Sequence, residues 1–402
     1  MKLLFLTDNF PPEVNAPATR TYEHCVEWVK QGVDVTVITC FPNFPQGKVY
    51  KGYTNKLIQK ELINGIKIIR VWTFISSNQG FLRRSLDFFS FAVSAFLIGL
   101  SVKTDLIVAT SPQFFTAASG SWLSYFKRKP WVMEVRDLWP ASIKKVGAVD
   151  SGILLKIFYW WEKRLYISAK HIVVVTHSFK KEISSKGIDS EKISVITNGA
   201  NLSLYKYRPK NHVIIDQLRL NNKTIISYIG TLGMAHKLDF ILHCVKKINN
   251  PDFHFLFIGE GAERVNLIDL KVELKLHNVT FLDPVEKQDV PEYLSITDIS
   301  LITLSKADIF RTVIPSKIFE SAAMQIPILL GVDGESRKII EIFNAGIFFE
   351  PENEDDFIEK LYILSSNKEL YNSCKDGCKR LAEAFERNKL AINMLDILKS
   401  RI

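Results

Sequence analysis

The chain has 402 residues, of which 47% are hydrophobic and 24% charged, with a formal net charge of +9. This is the composition of a folded protein with room for two cores, and it excludes a disordered or low-complexity chain. The positive excess favours anionic partners such as a nucleotide or an acidic membrane surface; no stretch interleaves arginines with aromatics, so nucleic acid is not expected as a partner.

In chain order, Leu3 to Thr7 reads as a short buried strand, because Asp8 interrupts the apolar run too early for a leader segment. A proline-punctuated loop from Asp8 to Pro17 follows. A helix from about Ala18 to Lys30 ends at Gln31-Gly32, and Val33 to Thr39 is the second strand. This βαβ opening implies a parallel sheet, and its loop lacks the G-x-G-x-x-G of a dinucleotide site. Phe41 to Gly52, with Pro42, Pro45 and Gly47, is a loop, and Ile66 to Thr73 a strand. The apolar stretch Leu86 to Val102, preceded by Arg83 and Arg84, falls short of the ~20 residues of a span. It suits a buried or groove-forming helix, or one lying in a membrane interface; the strand and turn from Asp105 to Pro112 argue against a span. Trp131 to Val135 is a strand ending in Arg136-Asp137-Leu138-Trp139-Pro140, where an acid beside a base suits either chemistry or a structural ion pair. A helix from Phe158 to Ala169 and strands His171 to Val175 and Ile193 to Ile196 complete the first half. His171 and His177 have no second ligand at metal spacing. The five cysteines, Cys25, Cys40, Cys244, Cys374 and Cys378, are odd in number and loosely spaced, so no zinc site and no disulfide framework is indicated, and a cytoplasmic setting is expected.

Apolar periodicity fades between Ser203 and Thr224. The expected division is a first domain over 1–205, a linker over 206–222 and a second domain over 223–385. In the second series, strands Ile225 to Ile229, Phe253 to Ile258, Val279 to Leu282, Ile299 to Leu304 and Ile326 to Leu330 alternate with helices. Four strand ends converge: Gly230 to Lys237, Gly259 to Gly261, Leu282 to Val285, and Arg311 to Glu320. Glycines there let the backbone approach a ligand closely, and in an open α/β sheet ligands bind at this end of the strands. In the last segment Lys317 and Arg311 are expected to bring charge to one pocket, with Glu320 one turn into a helix. The segment also admits a plainer reading, a strand-to-helix turn with solvated charges. No P-loop and no D-x-D pair is present, so neither nucleotide hydrolysis nor a metal cofactor is indicated.

Several landmarks occur in order along essentially the whole chain: Phe10-Pro11-Pro12-Glu13 with Arg20, Gln31-Gly32-Val33-Asp34-Val35-Thr36-Val37-Ile38-Thr39, Asn198-Gly199, Phe257-Ile258-Gly259-Glu260-Gly261, and Pro315-Ser316-Lys317-Ile318-Phe319-Glu320. On these the chain resembles the retaining glycosyltransferases of family 4. The resemblance implies the GT-B fold, two Rossmann-like domains facing an interdomain cleft, with residues 386–402 as a helix returning to the first domain. It implies a nucleotide sugar as donor substrate, without a cofactor. By the same resemblance Glu320 is the second acid of the E-x7-E motif and binds the ribose, while Thr312 stands where the first acid is usual. Thr231 and His236 stand near the usual Arg and Lys of the phosphate loop, so Lys317, Arg311 and Lys237 are expected to supply the charge. The donor set implied is Asn15, Ala16, Gly230, Gly233, His236, Lys237, Gly259, Gly261, Val285, Arg311, Ser316, Lys317 and Glu320. Asn15-Ala16 replaces a usual pair of glycines. Arg136-Asp137 occupies the place of an active-site His-Asp, which makes Asp137, with Glu320, the catalytic candidate, and Glu13, Arg20 and Arg136 the acceptor side. Asn15-Ala16-Pro17-Ala18 with Phe41-Pro42-Asn43-Phe44-Pro45-Gln46-Gly47 looks like the subgroup that transfers N-acetylated amino sugars, notably N-acetyl-L-fucosamine, in O-antigen or capsule assembly. That implies a UDP-linked donor, a polyprenyl-diphosphate-linked saccharide acceptor and a peripheral position on the inner membrane face. A UDP-sugar 2-epimerase of the same fold and a non-catalytic nucleotide-sugar-binding partner are the alternatives.

Overall fold

Two apolar series, each alternating strand and helix, fold as two separate units in the computed structural model, which describes residues 1–44, 46–75, 81–111, 114–139 and 152–402. Pro45, Pro112 and Pro140, expected in turns, and the side chain of Arg84 lie outside that description. One unit comprises Met1–Thr197 and Arg387–Ile402, the other Asn198–Glu386.

Among the described residues the first unit is built on eight strands: β1 (Lys2–Leu6), β2 (Asp34–Cys40), β3 (Ile58–Ile63), β4 (Ile66–Val71), β5 (Leu106–Thr110), β6 (Trp131–Val135), β7 (His171–Val174) and β8 (Ile193–Val195). They lie in the order β3-β4-β2-β1-β5-β6-β7-β8. Every pairing is parallel except β3 with β4. β1, β5 and β6 are almost wholly apolar because helices cover both faces of a parallel sheet. The antiparallel β3 was not anticipated. Its signal is Asn64-Gly65, both at positive φ, which closes a two-residue hairpin.

The second unit holds β9 (Thr224–Ile229), β10 (Phe253–Ile258), β11 (Val279–Leu282), β12 (Ile299–Thr303), β13 (Ile328–Gly331) and β14 (Gly346–Phe348), all parallel, in the order β11-β10-β9-β12-β13-β14. The chain winds outward in one direction from β9 and in the other from β12. The gap between these two strands is therefore the switch point at which such sheets take ligands.

Two expectations about boundaries change. The chain crosses between units at Thr197/Asn198, not near 205, and returns at Glu386/Arg387. The presumed linker is also not one: His212–Leu218 is a helix capped by Asn211, whose Oδ1 accepts from Val213 N and Ile214 N, and Ile215 is buried. Its short length and the flanking Pro209 and Asn211 hid its periodicity.

The long apolar stretch is the helix Phe81–Ser101. Phe91 and Ala95 belong to the core beneath the sheet, while Leu86, Phe89, Leu97 and Leu100 are exposed. Among the described residues no helix is long and apolar enough to cross a membrane. The last helix, Arg387–Lys399, packs on the first unit: Leu390, Met394, Leu395 and Leu398 join its core, and the Trp28 indole donates to Ala391 O at 2.7 Å.

Candidate active site

At the switch point of the second unit, β9 ends in Gly230 and β10 in Gly259. Both have positive φ, +140° and +144°. A Cβ on Gly259 would stand 2.0 Å from the Gly230 carbonyl oxygen, so only glycine lets the two strand ends stack. Backbone bonds zip the loops that follow, with Leu232 N donating to Glu260 O and Glu263 N to Leu232 O. Gly261 lies against Leu232 in the same crossing. Gly233 opens the single turn Met234–His236, and Lys237 closes it in the left-handed region, its Nζ 3.6 Å from Asp239. Ser305 N donates to Ala235 O and ties this turn to the loop after β12.

Lys317 and Glu320 come from the first turn of the helix Lys317–Ala323. At positions i and i+3 they share one face, and both line a small cavity with Ile229, Val290, Leu294, Ser300 and Leu301. The Lys317 Nζ sits 3.6 Å over the centre of the Tyr228 ring. Gly230 makes room for it: a Cβ there would lie 2.5 Å from Lys317 Cε. The Tyr228 hydroxyl donates to Thr231 O at 2.7 Å, which fixes the ring. His236 lies edge-on to the same ring, with its Nδ1 3.3 Å from Thr303 O. Burial, aided by the Lys317 charge, takes this imidazole down to about 4, so it is neutral at physiological pH. Burial likewise brings Lys317 down to about 7, with Glu320 pulling the other way. Tyr228 carries no sequence signal for a site; strand alternation marks it only as core.

Arg311 is a correction. It does not share the cavity of Lys317 and Glu320. Its guanidinium pairs with Asp333 at 3.2 Å and lies 3.9 Å from Asp308. It lines a different cavity of about 350 Å³ with Lys306, Asp333, Arg337, Phe348 and Glu350. The loop after β13 approaches the Arg311 backbone at Gly334 and offers it the Asp333 carboxylate. Thr312, where an acid is usual, turns its hydroxyl to Ile309 O within its own turn. Ser316 precedes the Lys317 helix without a side-chain capping bond, and Val285 packs half-buried against the core cluster that includes Ile225, Leu256 and Ile258.

In the first unit, Arg20 is a second correction. It is buried, 3.0 Å from Glu134, and donates to Ile196 O and Thr197 O. A guanidinium so enclosed is a structural tie, not a surface for an acceptor. Burial tends to raise the Glu134 carboxyl, but Arg20 and Arg136 outweigh it and hold it below the usual range. Glu13 is also buried: its Oε1 accepts from Asn43 N and Phe44 N, tying the first loop to the one after β2. Burial raises its carboxyl against those two bonds. The Asn15 side chain caps the helix Ala16–Lys30 through Ala18 N and donates to Asn9. Arg136 donates to the carbonyls of Ala16 and Pro17 and is lowered by burial to about 10. Asp137 follows it, half-buried, at the end of β6. Arg136 thus holds the start of the first helix beside the end of β6. No group of three or more metal-ligating side chains occurs among the described residues.

Residues 17–204 match the family model described as Glycosyltransferase Family 4, and residues 211–380 that described as Glycosyl transferases group 1. The chain is 24% identical over 329 residues to WcaI of Escherichia coli (strain K12), a proposed colanic acid biosynthesis glycosyl transferase, covering 79% of this chain and 80% of that protein. It is 26% identical over 202 residues, 49% of each chain, to TuaH of Bacillus subtilis (strain 168), a proposed teichuronic acid biosynthesis glycosyltransferase. Its fold matches that of Anabaena Alr3699/HepE, solved in complex with UDP and glucose, over 100% of both chains with a TM-score of 0.72 at 15% identity. With one glycosyltransferase model over each unit and a GT-B neighbour over the whole length, the chain is of the glycosyltransferase group 1/family 4 type.

Proposed function

We propose that the protein transfers an N-acetylated amino sugar, such as N-acetyl-L-fucosamine, from its UDP-linked form to a polyprenyl-diphosphate-linked saccharide, with retention at the anomeric carbon and without a metal. The product would enter a bacterial surface polysaccharide of the O-antigen or capsule kind. The observation that carries this reading is the meeting of Lys317 and Glu320 with the glycine-lined ends of β9 and β10 at one switch point. A carboxylate there suits a ribose diol, and a cation over bare backbone suits a diphosphate. HepE holds UDP in the same fold, and two relatives carry names from polysaccharide synthesis. In the first unit Asp137 is the group assigned to orient or deprotonate the acceptor hydroxyl. Exposed apolar residues on three neighbouring helices, with lysines and arginines among them, support a seat on an anionic membrane face.

Calorimetric titration with UDP, GDP and UDP-N-acetyl sugars, with no metal added, tests the reading. The expected result is binding of UDP and of at least one UDP-N-acetyl sugar, lost at least tenfold in Glu320→Ala. Binding of none of them removes the donor site and favours a non-catalytic role. Interconversion of a UDP-N-acetyl sugar incubated alone makes the protein an epimerase.

A further inference from the structure

Lys317 is placed unusually for a cation meant to hold a ligand. Its side chain threads through the space a Cβ at Gly230 would fill and ends over the face of Tyr228. Among the described residues its Nζ makes no hydrogen bond and no ion pair. An ammonium carries three donors, and leaving them without acceptors in a half-buried site is costly. Among the described residues, the titratable groups around it come from three segments: Tyr228 of β9, His236 of the turn after it, and Glu320 of its own helix. The first two are neutral near pH 7, because burial lifts the phenol well above its usual range and lowers the imidazole to about 4. Among the described residues, only Glu320 and the ring face favour the charged amine.

Resting on the donor reading above, we propose that capture of the donor's diphosphate takes up one proton from solvent, at Lys317 Nζ. The free amine lies over Tyr228. A diphosphate arriving at the end of β9 brings two negative charges and several acceptors to the same point. The nitrogen lone pair then binds a proton delivered by buffer, and the ammonium so formed donates to the phosphate oxygens. Donor affinity is thereby linked to pH through a residue other than the His236 that stands near the family's usual phosphate-loop lysine. Burial brings the free group to about 7, and an adjacent dianion raises it. The protonated form is thus favoured by binding, and affinity falls as pH rises above about 7.

The test is titration of the full chain with UDP between pH 7.5 and 9.0, where the terminal phosphate of UDP is already ionised. Each titration is run in two buffers of different ionisation enthalpy. The expected result at pH 8 is uptake of close to one proton per UDP, with Kd rising about tenfold per pH unit. In Lys317→Arg the guanidinium stays charged, so the uptake vanishes and Kd becomes flat with pH. UDP binding in the unaltered protein with no proton uptake and a flat Kd overturns this inference and leaves the donor site standing. Uptake that persists in Lys317→Arg also overturns it, by placing the proton elsewhere. Failure of the unaltered protein to bind UDP at any pH overturns both.

Discussion

Arg20, buried, and Lys317, half-buried, are two cations with opposite outcomes. Arg20 is matched on several sides, by Glu134 and by the carbonyls of Ile196 and Thr197. Among the described residues, Lys317 is matched only by a ring face and by a carboxylate acting through space. Breaking a fully enclosed pair leaves the other charge stranded. Arg20→Met is therefore expected to lower stability by about 3–5 kcal/mol, read as a fall in urea midpoint. Adding Glu134→Met should recover much of that loss, since the stranded carboxylate goes with it. A substrate-binding arginine would behave otherwise: its loss would raise the acceptor KM at unchanged stability. That Lys317 and Glu320 share one helical face was legible in the sequence from their three-residue spacing after a proline. Arg20 was misread because its carboxylate partner lies 114 positions away, beyond any local pattern. Tyr228 was illegible for the same reason: only the fold brings a helix-borne lysine over a strand residue.

At the scale of elements, the strands were the most readable parts, since a parallel sheet covered on both faces needs continuous apolar runs. β3 escaped because it is an edge strand with Gln59, Lys60 and Glu61 at its centre, and its burial alternates between half-buried and exposed. The helices of the first unit carry a second pattern. Phe81–Ser101 packs against Phe114–Lys127, which packs against Gly152–Ser168. All three bury one side, yet Leu97, Tyr125, Phe126, Ile157 and Trp160 stay exposed, Tyr125 by 80%. Lys103, Arg128, Lys129, Lys156, Lys163 and Arg164 are exposed on or beside the same helices. Inserting one such aromatic into the headgroup region stabilises by roughly 2 kcal/mol. The protein should therefore sediment with phosphatidylglycerol vesicles and be released by salt. Tyr125→Ser with Trp160→Ser should weaken that binding at least tenfold, while UDP titration is unchanged. Equal binding by the double variant would assign these residues to another partner.

For the whole molecule, the two-series pattern of strand and helix was enough to give two α/β units, but not the places where the chain passes between them. Those places depend on side chains distant in sequence. The helix Ala16–Lys30 holds one through Arg20, and it holds the other through Glu23, which pairs with Arg387. The terminal helix is part of the first unit's core and covers Trp28. A chain ending at Glu386 should thus lose protease resistance in residues 1–197 while the second unit keeps its fold and binds UDP. Limited proteolysis with mass analysis of the fragments reads both outcomes. Simultaneous collapse of the two units would show that neither folds alone.

The ends of the second unit meet each other. Ala200 N donates to Phe385 O at 3.2 Å, and Ala200 bridges to Glu386. Topologically this unit is a guest spliced into a host sequence, entering and leaving at neighbouring points. A guest whose ends touch can be removed or exchanged with two cuts and no new connecting segment. In such a lineage, recombination at this one pair of positions would give an enzyme a new guest while leaving its host intact.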